Sequence, residues 1–357
     1  MNLKALGWNS QLSRALAEQS QPQWIPGRVV SEHRGVRILV TEQGELPASV
    51  AGRMEHLAES AAELPKIGDW VAVVPQPGEN KGVIHWVLPR KSYLGRKVPG
   101  RVTTQQILAT NVDLACIVQA LDNTFRIRRL ERFLTLAHEG GIRPVILLNK
   151  LDLCPDPAPL IEAAQKAAPG VTLVQTSAET RRGIKALSQL IRPAETVVFL
   201  GSSGVGKSSL INRLCGEEYQ STIEVRESDS KGRHTTTSRE LIPLPGGGLV
   251  IDTPGLRELQ LWVHEEALEE AFPEITRLAE GCRFRDCCHE NEPGCAVRVA
   301  LEAKSLPKDR YDSFQKLRKE QVTWVTNTQE RAQRIRPKPQ KAESRSLRGS
   351  RRDWEED

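Results

Sequence analysis

The sequence predicts a multidomain α/β protein that combines a small β-barrel, a parallel sheet flanked by helices, and a helical module with a metal site. Three observations support this prediction: short strand-like runs from Gly27 to about Leu88, apolar runs alternating with helical stretches from about Asn111 to Leu259, and a cysteine cluster from Cys282 to Cys295. The 357 residues correspond to two or three domains of roughly 150 residues. We expect an N-terminal extension over 1–24, a barrel over 25–95, a nucleotide-binding domain over 96–262, a metal-binding domain over 263–330 and a basic disordered tail over 331–357.

The composition argues against a disordered protein, a membrane protein and a secreted protein. Hydrophobic residues make up 39% of the chain and charged residues 27%, which is too apolar for wholesale disorder. No apolar run approaches the 18 or so residues of a membrane span, and the N-terminus lacks the apolar core of a signal peptide. We therefore expect a cytoplasmic protein without membrane association, and a monomer by default.

The charge is concentrated in the tail. The net charge is +5, and the segment 331–352 carries nine Lys or Arg residues and a single acid, Glu343. Such a tail suggests a polyanionic partner such as RNA, although a solvated disordered end has the same composition.

The first predicted domain consists of short β-type runs separated by turn residues. The clearest runs are Gly27–Val30, Gly35–Val40, Asp69–Val74 and Val83–Leu88. Several short strands within some 65 residues favour a small closed barrel of the OB or SH3-like type. Barrels of this kind often bind nucleic acid, but the pattern itself indicates only a barrel.

The central region alternates strands with helices. Its strands are nearly continuous apolar runs, namely Val112–Val118, Pro144–Leu148, Val171–Val174, Thr196–Leu200 and Leu249–Ile251. Strands of this composition are covered on both faces, which indicates a parallel sheet between helix layers. The stretch Arg128–His138 has apolar residues at helical spacing and is one of the predicted helices.

A phosphate-binding loop follows the strand that ends at Leu200. The match to G-x4-G-K-[ST] is complete, and with the next helical residue it comprises Gly201, Ser202, Ser203, Gly204, Val205, Gly206, Lys207, Ser208 and Ser209. Glycines allow backbone N–H groups to surround phosphate oxygens, and the helix N-terminus adds partial positive charge. We expect Lys207 to reach the β- and γ-phosphates and the Ser208 hydroxyl to bind Mg²⁺.

A second motif, D-x-x-G, follows the apolar run Leu249–Ile251. Asp252 closes a buried strand, where a carboxylate is costly unless it is paired with a cation. It would hold Mg²⁺ through water, while the Gly255 N–H would contact the γ-phosphate.

The base-recognition residues predict guanine. Asn149, Lys150 and Asp152 form N-K-x-D directly after a predicted strand. The Asp152 carboxylate can accept hydrogen bonds from both the ring N–H and the exocyclic amine of guanine, which adenine does not offer. Ser177 and Ala178 follow another strand and fit the short motif that donates a backbone N–H to the guanine carbonyl. GTP is therefore favoured over ATP.

The order of these motifs along the chain is permuted. N-K-x-D comes first, then Ser177-Ala178, then the phosphate loop and finally D-x-x-G, whereas ordinary GTPases begin with the phosphate loop. A circular permutation builds the same sheet, because termini at the surface can be moved without disturbing the core. The D-x-x-G segment then leads directly into the cysteine-rich module, so nucleotide state could move that module.

A metal cluster lies in the C-terminal region. Three thiolates and one imidazole occur within 14 residues, at Cys282, Cys287, His289 and Cys295, with Cys288 as a rival ligand. A Cys3His set suits tetrahedral Zn²⁺ with no open position, which predicts one structural zinc. The nearby Arg283, Arg285 and Arg298 could face RNA or could equally be solvated charges.

The permuted motifs, the preceding barrel and the C-x4-C-x-H-x5-C cluster resemble the RsgA family of bacterial GTPases of small ribosomal subunit maturation. The resemblance covers roughly residues 25–330 and selects Cys287 rather than Cys288 as the ligand. It implies an OB-fold barrel, a circularly permuted P-loop GTPase domain, a zinc domain, and the 30S subunit with its 16S rRNA as partner and activator. The segment Lys231–Thr237 resembles the switch I loop of that family.

Leu256 stands directly after D-x-x-G, where many GTPases place the glutamine that orients the attacking water. We therefore expect slow hydrolysis in isolation and a partner that completes the site. His234 is the best candidate to replace the glutamine, although a structural or RNA-contacting role for it is equally compatible with the sequence. One of Thr235, Thr236 and Thr237 should bind Mg²⁺ in the GTP state.

The sequence thus predicts a GTPase that hydrolyses GTP to GDP and phosphate on the 30S subunit and uses hydrolysis to time its release. The catalytic residues would be Lys207, His234 and Gly255. One alternative is an RNA-binding protein in which GTP is a structural or regulatory ligand. Another is a small-molecule P-loop kinase, against which the guanine motif argues.

Overall fold

A computed structural model describes residues 2–19, 21–33, 35–98, 104–216, 240–252, 268, 271–284 and 286–319. The chain begins with a 3-10 helix, Leu3–Leu6, and a helix α1, Ser10–Glu18. Asn9 caps α1, since its side chain accepts a 3.0 Å hydrogen bond from the Leu12 N–H. Among the described residues, no helix combines the length and apolar character that crossing a bilayer requires.

The first domain is a closed five-stranded barrel, as predicted. Its strands are β1 (Ile25–His33), β2 (Val36–Thr41), β3 (Gly44–Val50), β4 (Trp70–Pro75) and β5 (Gly82–Val87). They pair in the order β1-β2-β3-β5-β4, and β4 returns to β1 to close the barrel. A short helix α2, Gly52–Leu57, follows β3. The strand β3 pairs in parallel with β5 and antiparallel with β2, and this arrangement is OB-like.

The second domain is an α/β sheet preceded by a hairpin. The hairpin pairs β6 (Tyr93–Val98) with β7 (Thr104–Thr110). The sheet contains β8 (Leu114–Ala120), β9 (Arg143–Asn149), β10 (Thr172–Gln175), β11 (Thr196–Leu200), β12 (Glu240–Pro243) and β13 (Leu249–Asp252). The strands lie in the order β10-β9-β8-β11-β13-β12, all parallel except β12, which pairs antiparallel with β13. The hairpin spans the boundary expected at residue 95.

Helices cover both faces of this sheet. They are α3 (Ile127–Glu139), α4 (Ala158–Ala167), α5 (Ile184–Leu190) and α6 (Lys207–Cys215). Alternate residues of β8 enter different cores: Ala115 and Ile117 pack with α3, while Cys116 and Val118 pack with α5 and α6. This alternation is what a strand buried on both faces requires.

The C-terminal module packs on the α3 face of the sheet. It contains helices α7 (Pro273–Ala279), α8 (Ala296–Glu302) and α9 (residues 308–319). Phe272, Val297 and Phe314 of this module belong to the same buried core as residues of α3 and β8. The module therefore shares its hydrophobic core with the nucleotide-binding domain.

The barrel joins the sheet through β1 and a buried arginine. Ser31 of β1 pairs with Glu240 of β12, which extends the sheet into the barrel. Arg28, also on β1, donates 2.6 Å from Nη2 to the Thr196 hydroxyl at the start of β11 and also donates to the Leu6 carbonyl. Arg28 is 1% exposed, and this burial lowers its pKa to about 10.

Candidate functional site

The predicted nucleotide-binding loops meet at one edge of the sheet. The strands β8, β9, β10, β11 and β13 are parallel, so the loops at their carboxyl ends all lie on the same side. The phosphate loop leaves β11, the N-K-x-D motif leaves β9, and Asp252 ends β13. The strand order reverses between β8 and β11, which is where open α/β sheets bind their ligands.

The phosphate loop is held by contacts that only glycine permits. Gly206 has a φ of +95°, and a Cβ at this position would lie 2.3 Å from Asn149 Nδ2. Gly201 has a φ of +153°, and its Cβ would lie 2.6 Å from the Val118 carbonyl oxygen. Lys207 begins α6, and its ammonium group donates 2.8 Å hydrogen bonds to the carbonyls of Gly201 and Ser202.

Asn149 connects the base-recognition loop to the phosphate loop. Its side-chain nitrogen donates to the Val205 carbonyl at 2.8 Å, and its side-chain oxygen accepts 3.2 Å from the Thr176 hydroxyl. The Asn149 side chain thus contacts loops that leave two other strands. Because Asn149 is 2% exposed, losing these hydrogen bonds would leave a buried amide unsatisfied.

The other base-recognition residues lie around this connection. Lys150 follows Asn149 with a φ of +62°, and Asp152 lies exposed in the 3-10 helix Leu151–Leu153. Ser177 is fully buried and donates its N–H to the Arg182 carbonyl at 3.0 Å. The Ala178 carbonyl accepts 2.8 Å from Arg213 Nε on α6, which ties the Ser177-Ala178 loop to the helix after the phosphate loop.

Asp252 lies where a cation would be favourable. Burial and the neighbouring Glu240, its partner in the β12–β13 ladder, raise the pKa of the Asp252 carboxyl, and Lys207 partly opposes this rise. A bound cation offsets both the burial of the charge and the repulsion from Glu240. Ser208 is the second residue of α6, the helix that follows the phosphate loop, and this loop leaves β11, the strand next to β13. Hard oxygen donors of this kind suit Mg²⁺.

Several predicted site residues lie outside the described part of the chain. These are His234, Thr235, Thr236, Gly255, Leu256 and Arg285, together with the segment Lys231–Thr237 and the basic tail.

The metal-binding residues form a compact cluster. The ligand atoms of Cys282, Cys287, His289 and Cys295 all lie within 4.8 Å of one another. His289 Nδ1 is 3.6 Å from Cys282 Sγ and 3.4 Å from Cys295 Sγ, and the two sulfurs are 3.9 Å apart. In a zinc tetrahedron with bonds of about 2.3 Å to sulfur and about 2.0 Å to nitrogen, these separations are about 3.5 Å and about 3.8 Å. The cluster therefore has the size of a zinc site.

The chemistry of the ligands also suits zinc. Burial and the nearby Arg318 lower the pKa of His289, which keeps the imidazole in the neutral form that binds a metal. The backbone carbonyl of His289 accepts a 2.5 Å hydrogen bond from the Tyr311 hydroxyl of α9. Cys288 is exposed, and its carbonyl accepts 2.9 Å from Gln315 Nε2. The cluster contains Cys287 rather than Cys288.

The segment after β8 makes contacts with the site that no motif in the sequence indicates. The Asp122 carboxylate accepts a 3.0 Å hydrogen bond from Lys150 Nζ. Arg129 Nη1 donates a 3.1 Å hydrogen bond to the Ser202 hydroxyl. Both residues thus contact loops that the motifs had identified. The available signal was the position of Asp122, which follows a buried apolar strand in the same way as Asp252.

Comparisons with known proteins agree with this geometry. A family model described as RsgA GTPase matches residues 87–262. The chain is 46% identical over 334 residues to the small ribosomal subunit biogenesis GTPase RsgA of Opitutus terrae, covering 90% of each chain. It is 42% identical over 333 residues to the protein of that name from Streptomyces coelicolor, covering 92% of this chain and 89% of the relative.

The solved structures that resemble the chain have the same architecture. The crystal structure of YjeQ from Thermotoga maritima matches with a TM-score of 0.62 and 28% identity, over 84% of this chain and 99% of that one. The structure of YloQ, described as a circularly permuted GTPase, matches with a TM-score of 0.58 and 28% identity, over 87% and 96%. Sequence, fold and motif order together show that this chain is a GTP-hydrolysing enzyme with a circularly permuted fold and belongs to the RsgA GTPase family.

Proposed function

We propose that this GTPase acts in late maturation of the small ribosomal subunit. It binds the 30S subunit and its 16S rRNA, hydrolyses GTP to GDP and phosphate with stimulation by the subunit, and couples hydrolysis to its own release. The observation that supports the nucleotide-binding part of the proposal is the hydrogen bond from the Asn149 side chain to the Val205 carbonyl, which connects the predicted base-recognition loop to the phosphate loop. The names of the relatives from Opitutus terrae and Streptomyces coelicolor support the ribosomal part.

The nucleotide lies across the carboxyl edge of the sheet. Asp152 accepts from the guanine ring N–H and amine, and the stem of Lys150 packs along the base. The Ser177 N–H is already donated to Arg182, so the N–H for the guanine carbonyl comes from Ala178. Backbone N–H groups of residues 201–209 surround the phosphates.

Mg²⁺ bound with GTP neutralises charge on the phosphates. Ser208 and either Thr235 or Thr236 bind the ion, and Asp252 holds it through water. Lys207 leaves its carbonyl partners for the β- and γ-phosphates, the Gly255 N–H contacts the γ-phosphate, and His234 is the candidate to orient the attacking water. Leu256 has no polar side chain for this role, which agrees with activation by a partner.

One structural Zn²⁺ is held by Cys282, Cys287, His289 and Cys295. It has no open position for substrate, so it contributes fold rather than catalysis. The barrel and the zinc module provide the contacts with rRNA, with Arg283 and Arg298 beside the cluster as candidates. The protein works as a cytoplasmic monomer.

Co-sedimentation with ribosomal subunits tests this proposal. With a non-hydrolysable GTP analogue, the protein is expected to sediment with 30S and not with 50S subunits, and GDP is expected to release it. The variant Asp152→Asn separates nucleotide dependence from general RNA affinity, because its binding to 30S should require a xanthine nucleotide. Equal sedimentation with both subunits in every nucleotide state would refute the proposal.

A further inference from the structure

A short turn after β8 links the two loops that recognise the base and the phosphates. Its first residue, Asp122, uses both carboxylate oxygens. Oδ1 accepts from the N–H of Thr124 at 2.9 Å and also from the Thr124 hydroxyl. Oδ2 accepts from Lys150 Nζ at 3.0 Å. One carboxylate therefore holds the turn closed and binds the lysine of the base-recognition motif at the same time.

Arg129, at the beginning of α3, extends this connection to the phosphate loop. Its Nη1 donates to the Thr124 carbonyl at 3.3 Å and to the Ser202 hydroxyl at 3.1 Å. The Ser202 carbonyl in turn accepts from Lys207 at 2.8 Å. A continuous set of hydrogen bonds thus runs from Lys150 through the turn to the lysine of the phosphate loop.

We propose that Asp122 and Arg129 are positioning residues for nucleotide binding, in which Asp122 orients Lys150 against the guanine base and Arg129 fixes the phosphate loop through Ser202. This inference rests on the proposed function, because it takes Lys150 and Ser202 as parts of the nucleotide site. Neither positioning residue needs to touch the nucleotide.

The local backbone supports this role for Asp122. Lys150 has a φ of +62°, a left-handed conformation that a non-glycine residue retains only where its surroundings hold it. The Lys150 side chain is 30% exposed and the Asp122 side chain 25% exposed, so the pair is half-buried. Without this partner, the lysine side chain would sample many rotamers, and binding of the base would cost the conformational entropy of that freedom. The salt bridge lowers this entropic cost in advance.

The central experiment is a double-mutant cycle between Asp122 and Lys150, read as the equilibrium Kd of GDP and GTP. Asp122→Asn keeps the oxygen that closes the turn and replaces the oxygen that binds Lys150 with an amide donor. The Kd of both nucleotides is expected to rise about tenfold, the effect of one charge-assisted hydrogen bond. The KM for GTP should rise in proportion, with a much smaller change in kcat. When Lys150→Ala is already present, the additional substitution Asp122→Asn should change the Kd of either nucleotide by less than about twofold.

Matched controls separate positioning from general damage. Asp156→Asn changes an exposed aspartate that accepts from the Ala158 N–H in a similar turn, whereas the carboxylate that Lys150 contacts is that of Asp122, so this variant should leave the Kd unchanged. Arg129→Gln is compared with Arg128→Gln, since Arg128 is the exposed neighbour on the same helix. Only Arg129→Gln should raise the Kd, by a few-fold. Thermal melting of each variant verifies that the fold is retained.

The outcomes distinguish this inference from the proposed function. An unchanged Kd for Asp122→Asn, or full additivity with Lys150→Ala, would overturn the positioning role. If Asp152→Asn shifts the preference to xanthine in the same assay, the guanine site stands and only the present inference fails. If Asp152→Asn also leaves base preference unchanged, the nucleotide-site assignment itself fails.

Discussion

The carboxylate of Glu131 on α3 accepts a 2.7 Å hydrogen bond from Arg310 Nη1 on α9, and this contact joins the nucleotide-binding domain to the C-terminal module. The same carboxylate accepts from the Ser313 hydroxyl, while Arg310 also contacts Glu274 and donates 2.8 Å to the Ala271 carbonyl. Glu131 is 1% exposed. The cluster is thus a largely buried polar contact between the two domains.

Removing the carboxylate should loosen this interface. Glu131→Ala leaves Arg310 as a partly uncompensated buried charge, so we expect a loss of about 3–5 kcal/mol in unfolding free energy. Urea unfolding measures this loss, and limited proteolysis shows whether the C-terminal module detaches from the nucleotide-binding domain before that domain unfolds. Lys166→Ala is the control, because it breaks the exposed Glu162–Lys166 pair and should leave the midpoint unchanged. Equal midpoints for the two variants would contradict a structural role for Glu131.

Loss of a zinc ligand should unfold the C-terminal module. Cys295→Ser removes a buried thiolate, and we expect zinc content to fall from one ion per chain to well below one, with loss of helical circular dichroism. Cys288→Ser changes an exposed cysteine outside the ligand set, and this variant should retain a zinc content of one ion per chain. Zinc retention by Cys295→Ser, or its loss from Cys288→Ser, would show that the ligand set is wrong.

A methyl group at Gly206 should disrupt the phosphate loop. Its Cβ would lie 2.3 Å from Asn149 Nδ2 at a φ of +95°, so Gly206→Ala must displace Asn149 from Val205. Gly204 has a φ of +79° but no atom within 4 Å of its Cβ position, so Gly204→Ala introduces only backbone strain. We expect Gly206→Ala to weaken GDP binding at least tenfold more than Gly204→Ala, measured by equilibrium titration. Equal affinities would argue against the Asn149 contact.

Asp152→Asn should change the base that the enzyme prefers. The amide cannot accept from both guanine donors, whereas it can donate to the second carbonyl of xanthine. The ratio of the Kd values for GTP and XTP should therefore invert, and Asp156→Asn serves as the control with a wild-type ratio. If the variant still preferred guanine nucleotides, the assignment of Asp152 as the residue that recognises the base would be wrong.

Local patterns in the sequence were sufficient to predict most of the fold. The five apolar runs from Val112 to Ile251 all became parallel strands. Four of these strands consist mostly of buried residues, whereas the edge strand β10 is only partly buried. The barrel, the permuted sheet and the GTPase activity were predicted correctly. The strand β3 was harder to identify, since Gly44 and Pro47 weaken its strand pattern. In the closed barrel it pairs with β2 and β5, and its residues Leu46 and Ala48 are buried in the barrel core.

Long-range contacts could not be predicted from the sequence. Glu131 has the sequence character of a solvated helix residue, yet it is buried by Arg310, 179 residues away in the chain. Arg28 likewise has the character of an exposed residue of β1, but Thr196, 168 residues away, accepts its hydrogen bond. Such pairs depend on how complete domains pack together, and no local periodicity encodes that packing.

Activation of this GTPase by the small ribosomal subunit can be measured as GTP turnover of the purified protein, alone and with 30S subunits, 50S subunits or bare RNA. We expect slow turnover of the protein alone and an increase on the order of tenfold or more with 30S subunits only, and Lys207→Ala should abolish this turnover. Equal turnover rates in every mixture, despite tight GTP binding, would contradict activation by the 30S subunit. Such a result would favour an RNA-binding protein in which GTP is a structural ligand.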